Sequence, residues 1–190
     1  MADQEQNAMA TASAGGGETG MPELAGKYLA FRLGSEEYGL EILKVREING
    51  LMDITAVPRT PEYIRGVINL RGKVIPVVDL RAKFGMEVAK DTEHTCIIVV
   101  DISQGGTNNQ MGILVDSVSE VLDIAGDDIE GAPSFGASVD TRFILGMAKA
   151  KGGVKILLDI GAVLGGDETL AVGEAAVEAG EAAASEPGGR

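Results

Sequence analysis

Between residues 28 and 160, apolar and polar positions alternate in short runs with turn residues between them. YLAFRL (28–33) alternates and is followed by Gly34-Ser35. Tyr38–Ile42, Val45–Ile48, Gly66–Leu70 and Val74–Leu80 come next, then Thr95–Asp101, Met111–Val115, Val118–Ile124, Phe143–Ala148 and Val154–Ile160. Runs of about 4–8 residues with short turns predict an all-β barrel or sandwich. Short helical pieces are expected at Pro61–Ile64, Leu80–Phe84 and Ile160–Leu164. In TCIIVV (95–100) a period of two sends Cys96, Ile98 and Val100 to one face, and Ile97 and Val99 to the other. Both faces are apolar. One fills a barrel; the other meets a second barrel or a partner groove beside that seam.

The pattern repeats. YGLEILKVREI (38–48) lies over MGILVDSVSEV (111–121) at an offset of 73, which matches Gly39 with Gly112, Val45 with Val118 and Glu47 with Glu120. RGVINLRGKVIPVVDLRAKFG (65–85) lies over LGMAKAKGGVKILLDIGAVLG (145–165) at an offset of 80, which matches Gly66 with Gly146, Gly72 with Gly152 and Asp79 with Asp159. Two copies of a small β unit are too few for a solenoid, so a pseudo-twofold pair of small barrels is expected. Within NLRGKVIPVVDLR (69–81), Pro76 lacks the N–H that a central strand donates, which predicts an edge strand or a bulge. Gly72 supplies the permissive turn backbone, Arg71 projects from that turn, and Asp79 is placed to cap a helix starting near Leu80.

Composition refines the picture. Aromatic residues make up 4% of the 190 residues and Trp is absent, so the core rests on Val, Ile and Leu. The net charge of −13 argues against nonspecific nucleic-acid binding. That charge is uneven: residues 27–90 carry about +3 and residues 91–164 about −7. Such a molecule presents two electrostatically distinct faces that steer partners. Residues 1–26 and 166–190 are acidic and rich in Ala and Gly, so they are expected to be disordered tails, with a short helix possible at 168–179. No apolar stretch reaches the roughly 18–20 residues of a membrane span, and the N-terminus lacks the basic-then-apolar order of a signal peptide. A soluble cytoplasmic protein is the expectation.

Reactive chemistry is sparse. His94 and Cys96 are two residues apart at the mouth of an apolar strand, an arrangement read as a solvated loop histidine beside a small core residue. One His and one Cys do not supply a zinc ligand set. Asp127, Asp128 and Glu130 lack the alternating spacing of a calcium loop, and Gly15–Gly17 is not followed by the Lys-Ser/Thr of a phosphate-binding loop. No cofactor, metal or catalytic residue is expected.

YLAFRLGSEEYGLEILKVREI, VPRTPEYIRGVINLRGKVIPVVDLRAKFG and QMGILVDSVSEVLDI together closely resemble the CheW family of bacterial chemotaxis coupling proteins, over about residues 27–165. The resemblance implies two SH3-like five-stranded β-barrels, subdomain 1 at about 27–90 and subdomain 2 at about 91–165, with termini that cross between them. It implies a non-catalytic adaptor that joins the histidine kinase CheA, through its regulatory domain, to the cytoplasmic tips of chemoreceptors on the inner face of the membrane. Carried over by position, Val45, Glu47, Gly66, Arg71 and Ile97 are the receptor-binding candidates, with Glu47 and Arg71 paired, and Gly112 and Val118 are the kinase-binding candidates. An adaptor of another motility or signalling pathway is the alternative, a small-ligand sensor a further one. Nothing after residue 165 resembles a receiver domain, which disfavours a CheV-like adaptor.

Overall fold

The chain forms eleven strands and two short helices in a computed structural model that describes residues 20–104, 106–134, 140–166 and 178. In order these are β1 (Gly26–Leu33), β2 (Glu36–Glu41), β3 (Val45–Gly50), β4 (Ile64–Leu70), β5 (Lys73–Asp79), α1 (Leu80–Lys83), β6 (Cys96–Gln104), β7 (Thr107–Val115), β8 (Ser117–Ile124), β9 (Ile129–Glu130), β10 (Ile144–Ala150), β11 (Gly153–Leu158) and α2 (Ile160–Leu164). The architecture is all-β, as expected. One sheet runs β8-β1-β2-β11-β10-β9, the other β3-β6-β7-β5-β4. Six strands replace the expected five in the first sheet because Ile129–Glu130 adds a two-residue strand opposite Met147 and Ala148. The matching position in the second sheet is the single bridge between Thr55 and Val67.

The sheets do not follow the halves of the sequence. Each repeat lends its first hairpin to the other: β1 and β2 pair with β8 and β11, while β6 and β7 pair with β3 and β5. The exchange is symmetric to the residue. Leu157 stands beside Gly39 in one sheet and Val77 beside Gly112 in the other, both in parallel register. A boundary near residue 90 therefore cuts through both sheets. The crossing is not a matter of the termini alone; two complete hairpins are exchanged.

Burial explains the exchange. Ile97 and Val99 turn into the interior of the second sheet with Ile68, Ile75, Val77 and Leu114. Ile98 and Val100 turn the other way, into a seam shared with Leu29, Phe31, Leu40 and Leu158 of the first sheet. Hairpins that are apolar on both faces belong at the centre, where each face is covered. Burial of each such Val, Ile or Leu is worth about 1.5–3 kcal/mol, so the seam is a main source of cohesion. The oily second face of TCIIVV is thus covered by the other sheet.

Three expectations are corrected locally. Pro61–Ile64 is not helical: one bond from Ile64 N–H to Pro61 O closes a turn, and β4 begins at once. Pro76 lies in β5, an interior strand, and the ladder irregularity falls on β4 between Ile64 and Gly66 instead. The proline is tolerated because Val67, opposite it, spends both its backbone N–H and C=O on Thr55. Pro76 and Val67 therefore form a non-hydrogen-bonded pair, and the ladder to β7 starts one residue later, at Val77. Order also begins before residue 27. A 3-10 turn at Pro22–Leu24 packs Met21 and Leu24 against the cluster of Tyr28, Ile124 and Leu157, and Leu24 O accepts from the Tyr28 hydroxyl at 2.7 Å. Of the tails expected at 1–26 and 166–190, residues 1–19, 167–177 and 179–190 lie outside the described residues, and with them all of the helix expected at 168–179 except Glu178.

The cap expected at Asp79 holds, and the second repeat has the same one. Asp79 Oδ1 accepts from Ala82 N–H at 3.2 Å and Asp159 Oδ1 from Ala162 N–H at 3.0 Å, so both repeats start their helix with the same aspartate cap. The strand expected to run to Ile160 stops at Leu158 for that reason.

Candidate functional site

The β4–β5 hairpin turns through Arg71 and Gly72, with Leu70 and Lys73 paired across it. Both turn residues have positive φ, 51° at Arg71 and 85° at Gly72, which is the two-residue turn that suits strand twist. Asn69 Oδ1 accepts from Gly72 N–H at 2.9 Å and fixes the turn from inside. This geometry presents the Arg71 side chain outward, 79% exposed.

β3 supplies the other half of the site. Its ladder with β6 slips between Val45, which stands opposite Val100, and Glu47, which stands opposite Val99. The slip is a bulge at Arg46, and it changes the face on which neighbouring side chains lie. Val45 packs on the seam. Glu47 shares a face with Val99, an interior residue of this sheet, and so looks across the mouth of the sheet. There Arg71 Nη1 donates to Glu47 Oε2 at 2.7 Å. Asn49 Nδ2 donates to Glu47 Oε1 at 3.1 Å. Asn49 first, then Arg71, hold the Glu47 carboxyl below its ordinary range. β3 and β4 are the two edges of the sheet, so the ion pair shows that the sheet curls until its edges meet. Leu43, Ile48 and Leu51 add exposed apolar surface along this stretch, Leu43 at 91%.

Of the five receptor-binding candidates, the structure brings Glu47 and Arg71 together, while Val45, half-buried on the same strand, faces the seam. Gly66 is buried near the start of β4, away from the Arg71 turn, with φ of 139°, and a Cβ there would lie 2.1 Å from Thr55 O. Its role is to let the 55–56 segment close on β4. Ile97 is wholly buried in the interior cluster. Its side chain points inward by the two-residue period, beneath the sheet surface rather than on it.

The kinase-binding candidates separate in the same way. Gly112 is buried, and a Cβ would meet Ile97 Cγ2 at 2.9 Å and Val77 Cγ2 at 3.2 Å. It offers no surface, and its lack of a side chain serves the close approach of β5, β6 and β7. Val118 is half-buried on β8, opposite Phe31. The neighbouring Ser119, Glu120 and Val121 are exposed. Val121 and Ile48 occupy matching edge positions in the two sheets, opposite Leu29 and Ile98.

Sequence reading missed a buried ion pair. Lys155, 3% exposed, reaches Glu37 across the parallel β2–β11 contact. The Lys155 ammonium is the main reason the Glu37 carboxyl is held low. The offset of the repeats does not reveal the pair, because Lys155 matches Ile75 of the other unit. Among the described residues no group of His, Cys, Asp or Glu is arranged to hold a metal ion, and no helix is long and apolar enough to cross a membrane.

A family model described as a CheW-like domain matches residues 27–168. The chain is 38% identical over 164 residues to a protein of Klebsiella aerogenes named chemotaxis protein CheW, an alignment spanning 86% of this chain and 94% of that one. It is 36% identical over 140 residues to the protein of the same name from Rhizobium meliloti, covering 74% of this chain and 88% of the relative. Among solved structures, the crystal structure of the scaffolding protein TtCheW from Thermoanaerobacter tengcongensis is similar with a TM-score of 0.66 and 36% identity, over 76% of this chain and 96% of that one.

Proposed function

The chain belongs to the CheW-like domain family, and from that premise we propose that it is a non-catalytic adaptor coupling transmembrane chemoreceptors to the histidine kinase CheA in bacterial chemotaxis. The observation that carries this reading is the Glu47–Arg71 pair, an exposed guanidinium preoriented by a carboxylate, together with exposed Ile48 on the same strand and Leu43 just before it. Apolar contact with one charged anchor is the make-up of a protein-docking surface. The receptor's cytoplasmic tip docks on Val45, Glu47 and Arg71, with Gly66 and Ile97 shaping the sheet behind them. The kinase regulatory domain takes the β8 edge around Val118, with Gly112 supporting the neighbouring sheet. The adaptor then works at receptor arrays on the inner face of the membrane, without inserting into it.

The test is co-sedimentation of the purified chain with receptor-containing membranes, with and without CheA, together with receptor-stimulated kinase activity. Arg71→Ala is expected to stay folded and to lower membrane-bound protein and kinase activation together. Full kinase activation by folded Arg71→Ala overturns the assignment of the receptor surface. Absence of any wild-type complex with CheA overturns the adaptor reading itself.

A further inference from the structure

The chain passes between the two sheets only twice among the described residues, at the 3-10 turn Ile42–Lys44 between β2 and β3 and at Asp116 between β7 and β8. These crossings occupy matching places in the two repeats, since Leu43 lies 73 residues before Asp116. Two covalent crossings define a hinge line, and all other cohesion between the sheets comes from packing and polar contacts at the seam.

The two ends of that line are held differently. At Asp116, Arg81 of α1 makes a forked contact: its Nε donates to Oδ1 at 2.6 Å and its Nη2 donates to Oδ2. Gly34 N–H, in the β1–β2 turn of the other sheet, donates to the same Oδ2 at 2.7 Å. Arg81 Nη1 also donates to Glu87 O at 3.0 Å. One guanidinium thus ties the helix of the second sheet to a crossing and, through Asp116, to the first sheet. In the other repeat the match of Arg81 is Gly161, and the match of Asp116 is the exposed Leu43. Among the described residues, that end has no such clamp.

Just beyond Arg81, Phe84 enters the first sheet as a wedge. Its ring lies 6.0 Å from that of Tyr38 and 5.4 Å from that of Phe143, centre to centre. A cleft of about 450 Å³, partly open to solvent, lies beside it, lined by Tyr38, Lys83, Phe84, Met86, Phe143, Ile144 and Ile156. A largely apolar cleft between the 83–86 segment and the first sheet has room to close or widen, whereas a close-packed seam does not.

We propose that Arg81 and Phe84 form a latch that sets the angle between the two sheets: the Arg81–Asp116–Gly34 contact holds the present angle, and the cleft beside Phe84 is the room into which the sheets turn when that contact opens. The two docking surfaces lie on different sheets, so the latch fixes their relative placement. This geometric inference does not depend on which partners bind.

The test uses the full chain with Cys96→Ser and spin labels at Lys73 and Val154, one exposed hairpin position on each sheet, read by pulsed dipolar spectroscopy. The parent should give one narrow distance. Arg81→Ala should at least double the width or add a second distance, and adding Ile156→Phe, which fills the cleft, should narrow it again. An Arg81→Ala protein that melts at lower temperature but keeps the parental width overturns the latch and leaves a merely stabilising ion pair. A broadened distance that Ile156→Phe does not narrow overturns the role of the cleft. Should Arg81→Ala fail to fold, Arg81→Lys, which keeps the charge and loses the fork, carries the same reading with the same two outcomes.

Discussion

Glu47 and Arg71 come from opposite edges of one five-stranded sheet, and their 2.7 Å ion pair joins the sheet to itself. Arg71 is mostly exposed, and exposed ion pairs add little to stability. The expected signature of Arg71→Ala is therefore a split between properties. Its melting temperature stays close to the parent's, while affinity for a receptor-tip fragment falls by at least about tenfold, as for a central anchor. Glu47→Ala should cost less affinity, because it releases the guanidinium without removing it. Calorimetric titration beside a thermal melt checks both, and a melt that drops as far as the affinity would make the pair structural.

Two glycines predict the opposite split. Gly66 combines φ of 139° with a would-be Cβ 2.1 Å from a backbone oxygen, so Gly66→Ala must displace main chain. Backbone strain of this kind costs about 1–3 kcal/mol before the clash is counted. Gly66→Ala is expected to lose about 2 kcal/mol or more in urea, as a lower midpoint at unchanged slope. Gly50→Ala, at a strand end with nothing within 4 Å, should stay within about 1 kcal/mol of the parent.

Much of this was legible in the residues. The strand runs are periodic, and the offset of 80 predicted matched hairpins and glycines, which pair in the same register in the two sheets. Asp79 and Asp159 cap because a short acceptor stands at each strand-to-helix step. The bulges were not legible. Nothing in VRE distinguishes a regular strand from one that slips at Arg46, yet that slip is what separates the direction of Glu47 from that of Val45. Nor was the exchange of complete hairpins, since a two-residue period says that both faces of β6 are buried and not which sheet covers them. Ile97 and Gly112 were candidates by position in a motif, and a motif does not show that both positions are buried. Lys155 and Glu37 are 118 residues apart and meet only because the hairpin is exchanged.

That exchange predicts how the chain responds to cutting. A break after residue 90 leaves β3, β4 and β5 without β6 and β7, and β8 to β11 without β1 and β2. Each piece then exposes the apolar faces that form the seam. Residues 1–90 and 91–190, made separately, are each expected to lack cooperative unfolding. Mixed in equal amounts, they should regain the β circular-dichroism signal with a concentration-dependent midpoint. A cooperative melt from either piece alone would contradict the exchanged arrangement.

The clamp at Asp116 sets the direction of an acid response. Burial favours the neutral carboxyl, but the Arg81 fork and the Gly34 N–H outweigh it and keep the folded group below its ordinary value of 3.8. A carboxylate whose folded pKa is depressed contributes its stability fully above the unfolded pKa. It loses that contribution as pH falls through the folded value. Below about pH 4, protonation should therefore weaken the Arg81 contact and, by the latch argument, loosen the angle between the sheets. Asp116→Asn removes the charge at every pH. The variant is expected to be less stable than the parent at pH 7, and the gap should shrink steadily from pH 4 downward because the parent alone has this proton to gain. Urea midpoints from pH 7 to pH 2 read the gap directly. A gap that stays constant over that range would mean that the charge on Asp116 plays no part in holding the two sheets.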